Sequence, residues 1–242
     1  MARHVVKRAA TAECDGPMQS LQVEALGLEI NKYCELGDTV VDQAHRRLIL
    51  NETVPAREKV LSIFQPHTDI IIRGKERKAV EFGHKVFFGE TQSGLIADYQ
   101  ILDGSPVDAS LLVPAIANHK RVFGRTPSLV AGDQGFSSEA NIEACRHEDV
   151  EHECLPKRGR KDAARAAYER SPAFKDGQRF RAGIEGRISA LQRGRGMSRC
   201  RWHGREGFEV FVGGCVLVNN LMKIAEFLTK QSAKKTEEAP AA

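Results

Sequence analysis

The chain is poor in aromatic residues and has no long uninterrupted apolar run. Aromatic residues make up 6% of its 242 residues, with a single tryptophan. The longest apolar stretch, residues 210–228, is interrupted by glycine, asparagine, lysine and glutamate, so it predicts a buried helix rather than a membrane span. The amino terminus lacks the apolar segment of a secretory signal. We therefore expect a cytoplasmic protein with no membrane partner.

The chain contains six cysteines. Six cysteines do not make a disulfide framework, which favours a reduced compartment. Two of them lie near two histidines, in the order Cys145, His147, His152 and Cys154. Zinc takes Cys and His in tetrahedral sets, but these spacings differ from those of common zinc motifs. We therefore favour the interpretation that these four residues bind no metal over that of a structural zinc site.

Charge is unevenly distributed along the chain. The net charge is only +4, yet residues 156–205 contain fifteen Lys or Arg and four acidic residues. Such an excess of one sign suggests an anionic partner, and a polymer such as DNA fits best. The alternative is that these residues form a solvated helical face.

The order of predicted elements is that of an α/β protein. Apolar periodicity predicts helices at 21–36 and 40–50, separated by a stop at Gly37, and a short helix from Pro55 to Phe64. Strands are predicted at 69–72, 81–88 and 95–102, with a hairpin turn at 91–94. The later elements are a helix from about 105 to 122, a strand at 128–132, a helix at 137–147, a weak strand near 150–155, and helices at about 161–170, 177–193 and 205–229.

Two carboxylates are the leading candidates for chemistry. Asp133 follows the apolar strand at 128–132, where α/β sheets place their ligands, and Ser137 and Ser138 then predict a helix start. Glu185 lies on the predicted helix 177–193, one turn after Arg181. Carboxylates that converge from separate elements can hold two divalent metal ions for phosphodiester chemistry.

Residues 41–228 also resemble the DDE-type insertion-sequence transposases, the ISNCY group in particular. One matching segment is Gly-Asp-Gln-Gly-Phe-Ser-Ser around Asp133, and another is Phe-Arg-Ala-Gly-Ile-Glu-Gly-Arg-Ile-Ser around Glu185. The further matching segments are residues 41–47, 59–71, 81–86, 93–96, 103–109 and 196–208. Their order and spacing are similar to those of the family over nearly four-fifths of the chain.

The resemblance implies an RNase H-like catalytic core with a mixed sheet flanked by helices. Such enzymes cut and rejoin DNA at the ends of a mobile element, using two Mg²⁺ or Mn²⁺ ions held by Asp, Asp and Glu. By this resemblance Asp133 is the second Asp and Glu185 the Glu. Arg181 matches the Arg of the family signature, whose Tyr and Lys positions hold Gln178 and Gln192 here. Asp108 matches a further family Asp and is expected to cap a helix or support the site.

The first Asp of the triad has no clear counterpart. In the family it lies on the first core strand, upstream of the segment that resembles residues 40–60, where neither Asp15 nor Asp38 ends a predicted strand. Asp69, which opens an Asp-Ile-Ile-Ile segment, is the candidate substitute and is preferred to Asp42. The resemblance therefore implies an N-terminally truncated member that lacks the first core strand and has little strand-transfer activity alone.

The expected organisation is a helical N-terminal remnant at 1–64, a catalytic domain at 65–230 and a disordered tail at 231–242. DNA, both element ends and target, is the expected partner, and homo-oligomers occur among such enzymes. The expected DNA-binding residues are Lys157, Arg158, Arg160, Lys161, Arg181, Arg193 and Arg195. The alternatives are a non-catalytic DNA-binding remnant, an RNase H-like nuclease, and a protein-interaction module.

Overall fold

A computed structural model describes residues 16–72 and 80–237, together with His4, Lys7 and Arg8, with side chains as far as Ala233. The described residues form two compact units, one ending at His84 and the other beginning at Lys85. The boundary expected from the sequence, between residues 64 and 65, thus falls inside the first unit. The chain is a mixed α/β protein, as its pattern predicted.

The first unit begins with one long helix, α1 (Pro17–Leu48). The sequence predicted a break at Gly37, and that prediction is wrong. Thr39, which could have capped a new helix, instead donates its hydroxyl to the carbonyl of Glu35 at 3.0 Å, one turn back in the same helix. A single glycine costs a helix only ~1 kcal/mol, which its other residues offset. In the last turn of α1, Arg46 pairs with Glu52 at 2.9 Å and Glu58 at 3.1 Å, both beyond the helix.

The unit ends in an antiparallel pair of strands, β1 (Asp69–Ile72) and β2 (Val80–Gly83), in which Asp69 is opposite Gly83. The predicted short helix at 55–64 is limited to a 3₁₀ turn at Ala56–Glu58. The predicted strand at 81–88 is in fact two strands. Gly83 has a φ of 143°, which glycine adopts readily, and the chain leaves β2 there before the next strand begins.

The second unit opens with an antiparallel hairpin, β3 (Val86–Glu90) and β4 (Ile96–Ile101), joined at the predicted turn. A 3₁₀ turn at Asp108–Leu111 leads into helix α2 (Leu112–Phe123), which ends at Gly124 in the left-handed conformation. The predicted strand near 95–102 is confirmed. The helix predicted from about 105 to 122 ends as expected, but its α-helical part begins only at Leu112.

A parallel pair follows, β5 (Leu129–Ala131) and β6 (His152–Cys154), connected through helix α3 (Glu139–His147). Ser138 caps α3 by accepting a hydrogen bond from the backbone N–H of Asn141 at 3.1 Å. Among the described residues, the strands thus form three two-stranded sheets, β1–β2, β3–β4 and β5–β6.

The remainder is helical. Helices α4 (Ala163–Arg170) and α5 (Pro172–Ser189) follow β6, and α5 continues into a π-helical turn at Ala190–Gly194. Helix α6 (Gly204–Glu237) is the last element. It extends into the segment that the sequence predicted to be a disordered tail from residue 231.

Two small cores hold the second unit together. One joins Ile96 of β4 to Leu191, Cys215 and Val216, and the other joins Leu112 and Ile116 of α2 to Cys145 and Leu155. Asn220 of α6 adds a polar link, because its side chain bonds both the N–H and the carbonyl of Ile96 at 2.9 Å.

Helix α6 was expected to be buried, and only one of its faces is. Val212, Cys215, Val216 and Asn219 are buried, while Leu217, Leu221 and Leu228 are each more than half exposed. Among the described helices, its segment Gly204–Ala233 alone has the length and hydropathy of a membrane span, with 22% of the apolar window buried. Length and composition are weak criteria, since a helix of a soluble protein can meet them too.

Candidate active site

The site begins where β5 ends. Gly132 and Asp133 follow the strand, and Asp133 caps the 3₁₀ turn Gln134–Phe136, accepting a hydrogen bond from the N–H of Gly135 at 2.8 Å. Glycine at 132 allows a close approach, because a Cβ there would lie 2.9 Å from a methyl group of Leu155. The sequence located this strand end and this carboxylate correctly.

Gly135 brings a second carboxylate to Asp133. A Cβ built on Gly135 would lie 2.6 Å from Asp108 Oδ2 and 3.1 Å from Asp133 Oδ1, so these oxygens are at most the sum of the two distances apart, about 5.7 Å. A Cβ at position 135 would force the Asp108 carboxylate to shift. Asp108 was expected to cap a helix or support the site, and no side-chain cap bond is found at the 3₁₀ turn that it begins.

Lys85 neutralises Asp108. Its ammonium donates to Asp108 Oδ1 at 2.5 Å and to the carbonyl of Pro106 at 3.1 Å, and both charged side chains are about one-third exposed. The sequence predicted no role for Lys85. The signal that could have found it was its position immediately before β3, at a strand end that the fold brings to the carboxylates.

Gln178 of α5 fixes the strand ends beneath Asp133. Its side-chain nitrogen donates to the carbonyl of Gly132 at 3.2 Å and to that of Cys154 at 2.6 Å. One amide therefore joins the carboxyl ends of β5 and β6 and holds the residue that precedes Asp133. Gln178, which the sequence resemblance aligned with a signature Tyr, thus holds two carbonyls with one amide.

Arg181 and Glu185 lie one and two turns further along α5. Arg181 Nη2 bonds Glu185 Oε1 at 2.8 Å, with Glu185 68% exposed and Arg181 26% exposed. The Nε of Arg181 is buried and has no hydrogen-bond partner among the described residues, which costs ~1–3 kcal/mol unless an acceptor binds there. The helical rise puts Glu185 ~10 Å along the axis from Gln178.

These side chains share one cavity of about 380 Å³. Its walls include Asp108, Asp133 and Glu185 together with the cations Lys85 and Arg181. The rest of the lining is mainly apolar and comes from β3, β5, α2 and α5. The cavity thus brings the two predicted metal ligands, Asp133 and Glu185, to a common space with a third carboxylate.

The chemistry of these groups fits a hard divalent cation. Carboxylate oxygens are the ligands that Mg²⁺ and Mn²⁺ prefer, and two-metal sites tolerate ligands several ångströms apart because the ions are themselves ~3.5–4 Å apart. Within the described part of the chain, no three His, Cys, Asp or Glu side chains converge on one coordination shell. Asp108 is also already paired with Lys85, so the cavity supplies ligands without forming a complete metal shell.

Asp69, the candidate for the first Asp, belongs to the first unit. Its Oδ2 lies 3.2 Å from Nδ1 of His84, whose Nε2 lies 2.7 Å from Nδ1 of His67, and the two rings stack at 4.9 Å. The His84 side chain is only 3% exposed and has a partner at each ring nitrogen, as a core histidine does. Asp69 as a catalytic residue remains a prediction.

Several of the expected DNA-binding cations make internal contacts. Lys157 pairs with Glu139 at 2.5 Å and lowers the pKa of that carboxyl by its hydrogen bond and its charge, and Lys161 pairs with Glu169. Arg193 bonds Ser189, and Arg195 bonds the carbonyl of Gly194 at 3.2 Å. By contrast, Arg158 and Arg160 are exposed, and no ion pair of theirs is found among the described residues.

The four residues of the alternative zinc site do not converge. Cys145 and Cys154 are fully buried, whereas His147 and His152 are exposed. Burial raises the pKa of both thiols to about 11, which disfavours the thiolate form that zinc binds. Cys154 instead packs against α5 at Gly177.

Comparison with known proteins gives no relative: no protein-family model, no curated protein and no solved structure matches the chain. The functional interpretation therefore rests on the site and on the sequence motifs.

Proposed function

We propose that this chain is the catalytic part of a DDE-type insertion-sequence transposase of the ISNCY group, which cuts and joins DNA by phosphoryl transfer. The observation that carries the proposal is the cavity at the end of β5. It combines Asp133, Glu185 and Asp108 with Lys85 and Arg181, the side-chain types that divalent cations and a phosphate backbone require.

In this proposal Asp133 and Glu185 hold Mg²⁺ or Mn²⁺, and Asp69 stays the candidate for the first Asp of the triad. The bound metal would stabilise the attacking and leaving oxygens of the phosphodiester. Gln178 holds Asp133 in position through the carbonyl of Gly132. Arg181 binds a DNA phosphate, which would satisfy its unpartnered Nε once the side chain turns toward the backbone of the DNA.

The element order supports an RNase H-like core. The hairpin β3–β4, helix α2, strand β5, helix α3 and strand β6 follow one another in the order that the sequence pattern predicted, and α5 then supplies Glu185. We also propose that the enzyme acts in the cytoplasm as a homo-oligomer, with element ends and target DNA as its partners.

A second candidate is a non-catalytic DNA-binding remnant of the same family. The ion pair between Lys85 and Asp108 favours it, because a fixed ammonium occupies the place of a cation beside one of the three carboxylates. The first core strand that the resemblance implies is also not among the described strands. We therefore expect little strand transfer by this chain alone. A nuclease would instead cut DNA without joining it.

Metal binding tests the proposal directly. The full chain is titrated with Mn²⁺, and the free ion is measured by electron paramagnetic resonance. We expect Asp133→Asn to weaken binding by at least about tenfold, since it removes a charged ligand. Asp176→Asn is the matched control, because Asp176 lies on α5, is exposed and pairs with Arg179 away from the cavity lining.

Equal Mn²⁺ affinity in Asp133→Asn and in the unsubstituted chain would contradict the proposed metal site. The Mn²⁺-loaded protein is then tested on supercoiled plasmid DNA, with joining and nicking resolved on a gel. Metal and DNA binding without either product would favour the non-catalytic remnant, and nicking without joined products would favour the nuclease.

A further inference from the structure

The two long walls of the cavity are the edges of strands. All of β3, residues 86–90, lines one wall, and all of β5, residues 129–131, lines the other. β3 is hydrogen-bonded to β4 on its other edge, and β5 to β6. Neither strand has a strand partner on the cavity side among the described residues. The cavity is therefore a groove between two open edges, which present backbone donors and acceptors.

The relative direction of β3 and β5 follows from the contacts of Asp108 and Asp133. Lys85, just before β3, contacts Asp108, and Asp108 and Asp133, just after β5, both flank Gly135. The amino end of β3 and the carboxyl end of β5 thus lie at the same end of the groove, so the two strands run in opposite directions. A strand between them would be antiparallel to one and parallel to the other.

The two faces of the groove are apolar. Helix α2 contributes Leu112, Ala115 and Ile116, and helix α5 contributes Phe180, Ile184 and Ile188. A strand in the groove would pack against apolar side chains of both helices, and strands that helices cover carry apolar residues at successive positions. The groove therefore fits an extended apolar peptide better than a compact ligand.

We propose that this groove is a strand-binding site, which takes a short apolar segment of a separate polypeptide as the central strand of a five-stranded sheet. The segment binds between β3 and β5 and joins the sheets β4–β3 and β5–β6. It runs antiparallel to β3, because β3 has five residues and β5 three, and antiparallel pairing is the more stable per residue.

The described strands of this chain do not fit that position. A central strand needs both of its edges, and each of β1, β2, β4 and β6 already uses one edge for a partner. A second copy of the chain offers the same paired strands. A separate polypeptide with an unpaired apolar segment satisfies both edges of the groove by β-augmentation.

The charges at the two ends of the groove determine which end of the bound segment should carry a basic residue. Because the segment is parallel to β5, its carboxyl-terminal end reaches Asp108 and Asp133, two carboxylates against the one ammonium of Lys85. A basic residue at that end is therefore favoured over the same residue at the amino-terminal end, where the Glu90 carboxylate is already paired with Arg187 at 2.9 Å.

The test uses the full chain and fluorescein-labelled synthetic peptides, with binding followed by fluorescence anisotropy. The probe has a short core of alternating valine and isoleucine, flanked by serines and followed by a carboxyl-terminal lysine amide, which carries no terminal carboxylate. Its first control replaces the central residue with proline, which removes a ladder donor and should weaken binding by at least about tenfold. Its second control carries the lysine at the amino-terminal end and should bind more weakly at low salt.

Two protein variants complete the design. Ala115→Phe fills the groove from α2 and should abolish binding, whereas Val113→Phe, at an exposed position of the same helix, should bind as the unsubstituted chain does. Hydrogen exchange should show the edge amides of β3 and β5 becoming protected when the probe binds. Equal binding of the probe and its proline control, or an unchanged affinity in Ala115→Phe, would overturn the proposal. Tighter binding of the amino-terminal lysine peptide would overturn the orientation. None of these readouts depends on DNA or metal, so they stand apart from the proposed activity.

Discussion

Helix α5 meets the parallel strands through Gly177, and replacing this glycine tests how the site is held. A Cβ at position 177 would lie 2.3 Å from the sulfur of Cys154, 2.7 Å from its Cβ and 3.2 Å from a methyl group of Leu129. Cys154 is fully buried in β6, and its Cβ cannot move without moving the strand. We therefore expect Gly177→Ala to push α5 away from β5 and β6.

The expected magnitude combines two opposing terms. Forcing a methyl group into a packed interior costs ~1–3 kcal/mol, and the upper end applies because strand atoms are hit. Alanine in place of glycine stabilises a helix by ~1 kcal/mol. Gly177→Ala should thus lower the free energy of unfolding by about 2 kcal/mol. Gly183→Ala, on the same helix with no atom within 4 Å of the added Cβ, should raise it by ~0.5–1 kcal/mol.

Urea unfolding followed by far-ultraviolet circular dichroism measures both variants. The two differ by about 3 kcal/mol, and with a slope of ~1–3 kcal/mol per molar urea their midpoints should be separated by ~1 M or more. The slope itself should be equal in the two proteins. If Gly177→Ala unfolds at the same urea concentration as the unsubstituted chain, α5 does not pack on β6 as described, and the clamp by Gln178 loses its basis.

Two further predictions concern charge and pH. The double variant Arg158→Gln, Arg160→Gln is tested by filter binding to duplex DNA, and the slope of log binding constant against log salt should fall by ~1 for each phosphate that the protein no longer neutralises. The control variant Arg121→Gln, Arg146→Gln removes the same charge elsewhere and should leave the slope unchanged. DNA binding that does not depend on salt would contradict the DNA interface. Burial raises the pKa of Cys145 and Cys154 from 9.0 to about 11, so above pH 9 the unfolded chain loses protons that the folded chain retains. The free energy of unfolding should therefore fall between pH 9 and about 11, and replacing both cysteines with serine should reduce that fall. If the two substitutions leave the pH profile of stability unchanged, the raised pKa of these thiols is refuted.

Local patterns in the sequence determined much of the second unit. The apolar run before Asp133, the serines that follow it and the turn at 91–94 predicted β5, α3 and the β3–β4 hairpin. These features depend on caps, turns and periodicity within a few residues, which a sequence displays directly. The same patterns predicted the wrong element bounds where a local contact or an unusual backbone conformation determined the structure. Thr39 bonds back to Glu35 rather than starting a helix, and Gly83 divides one predicted strand into two.

The assembly of the site was decided by the tertiary structure. Asp108 reaches Asp133 because Gly135 has no side chain between them, Lys85 reaches Asp108 across 23 residues, and Gln178 reaches Gly132 across 46. No periodicity encodes such distances, because each contact depends on how separate elements pack. The same is true of the groove between β3 and β5. The sequence determined the strands, whereas only their arrangement in space showed two open edges facing one apolar cavity.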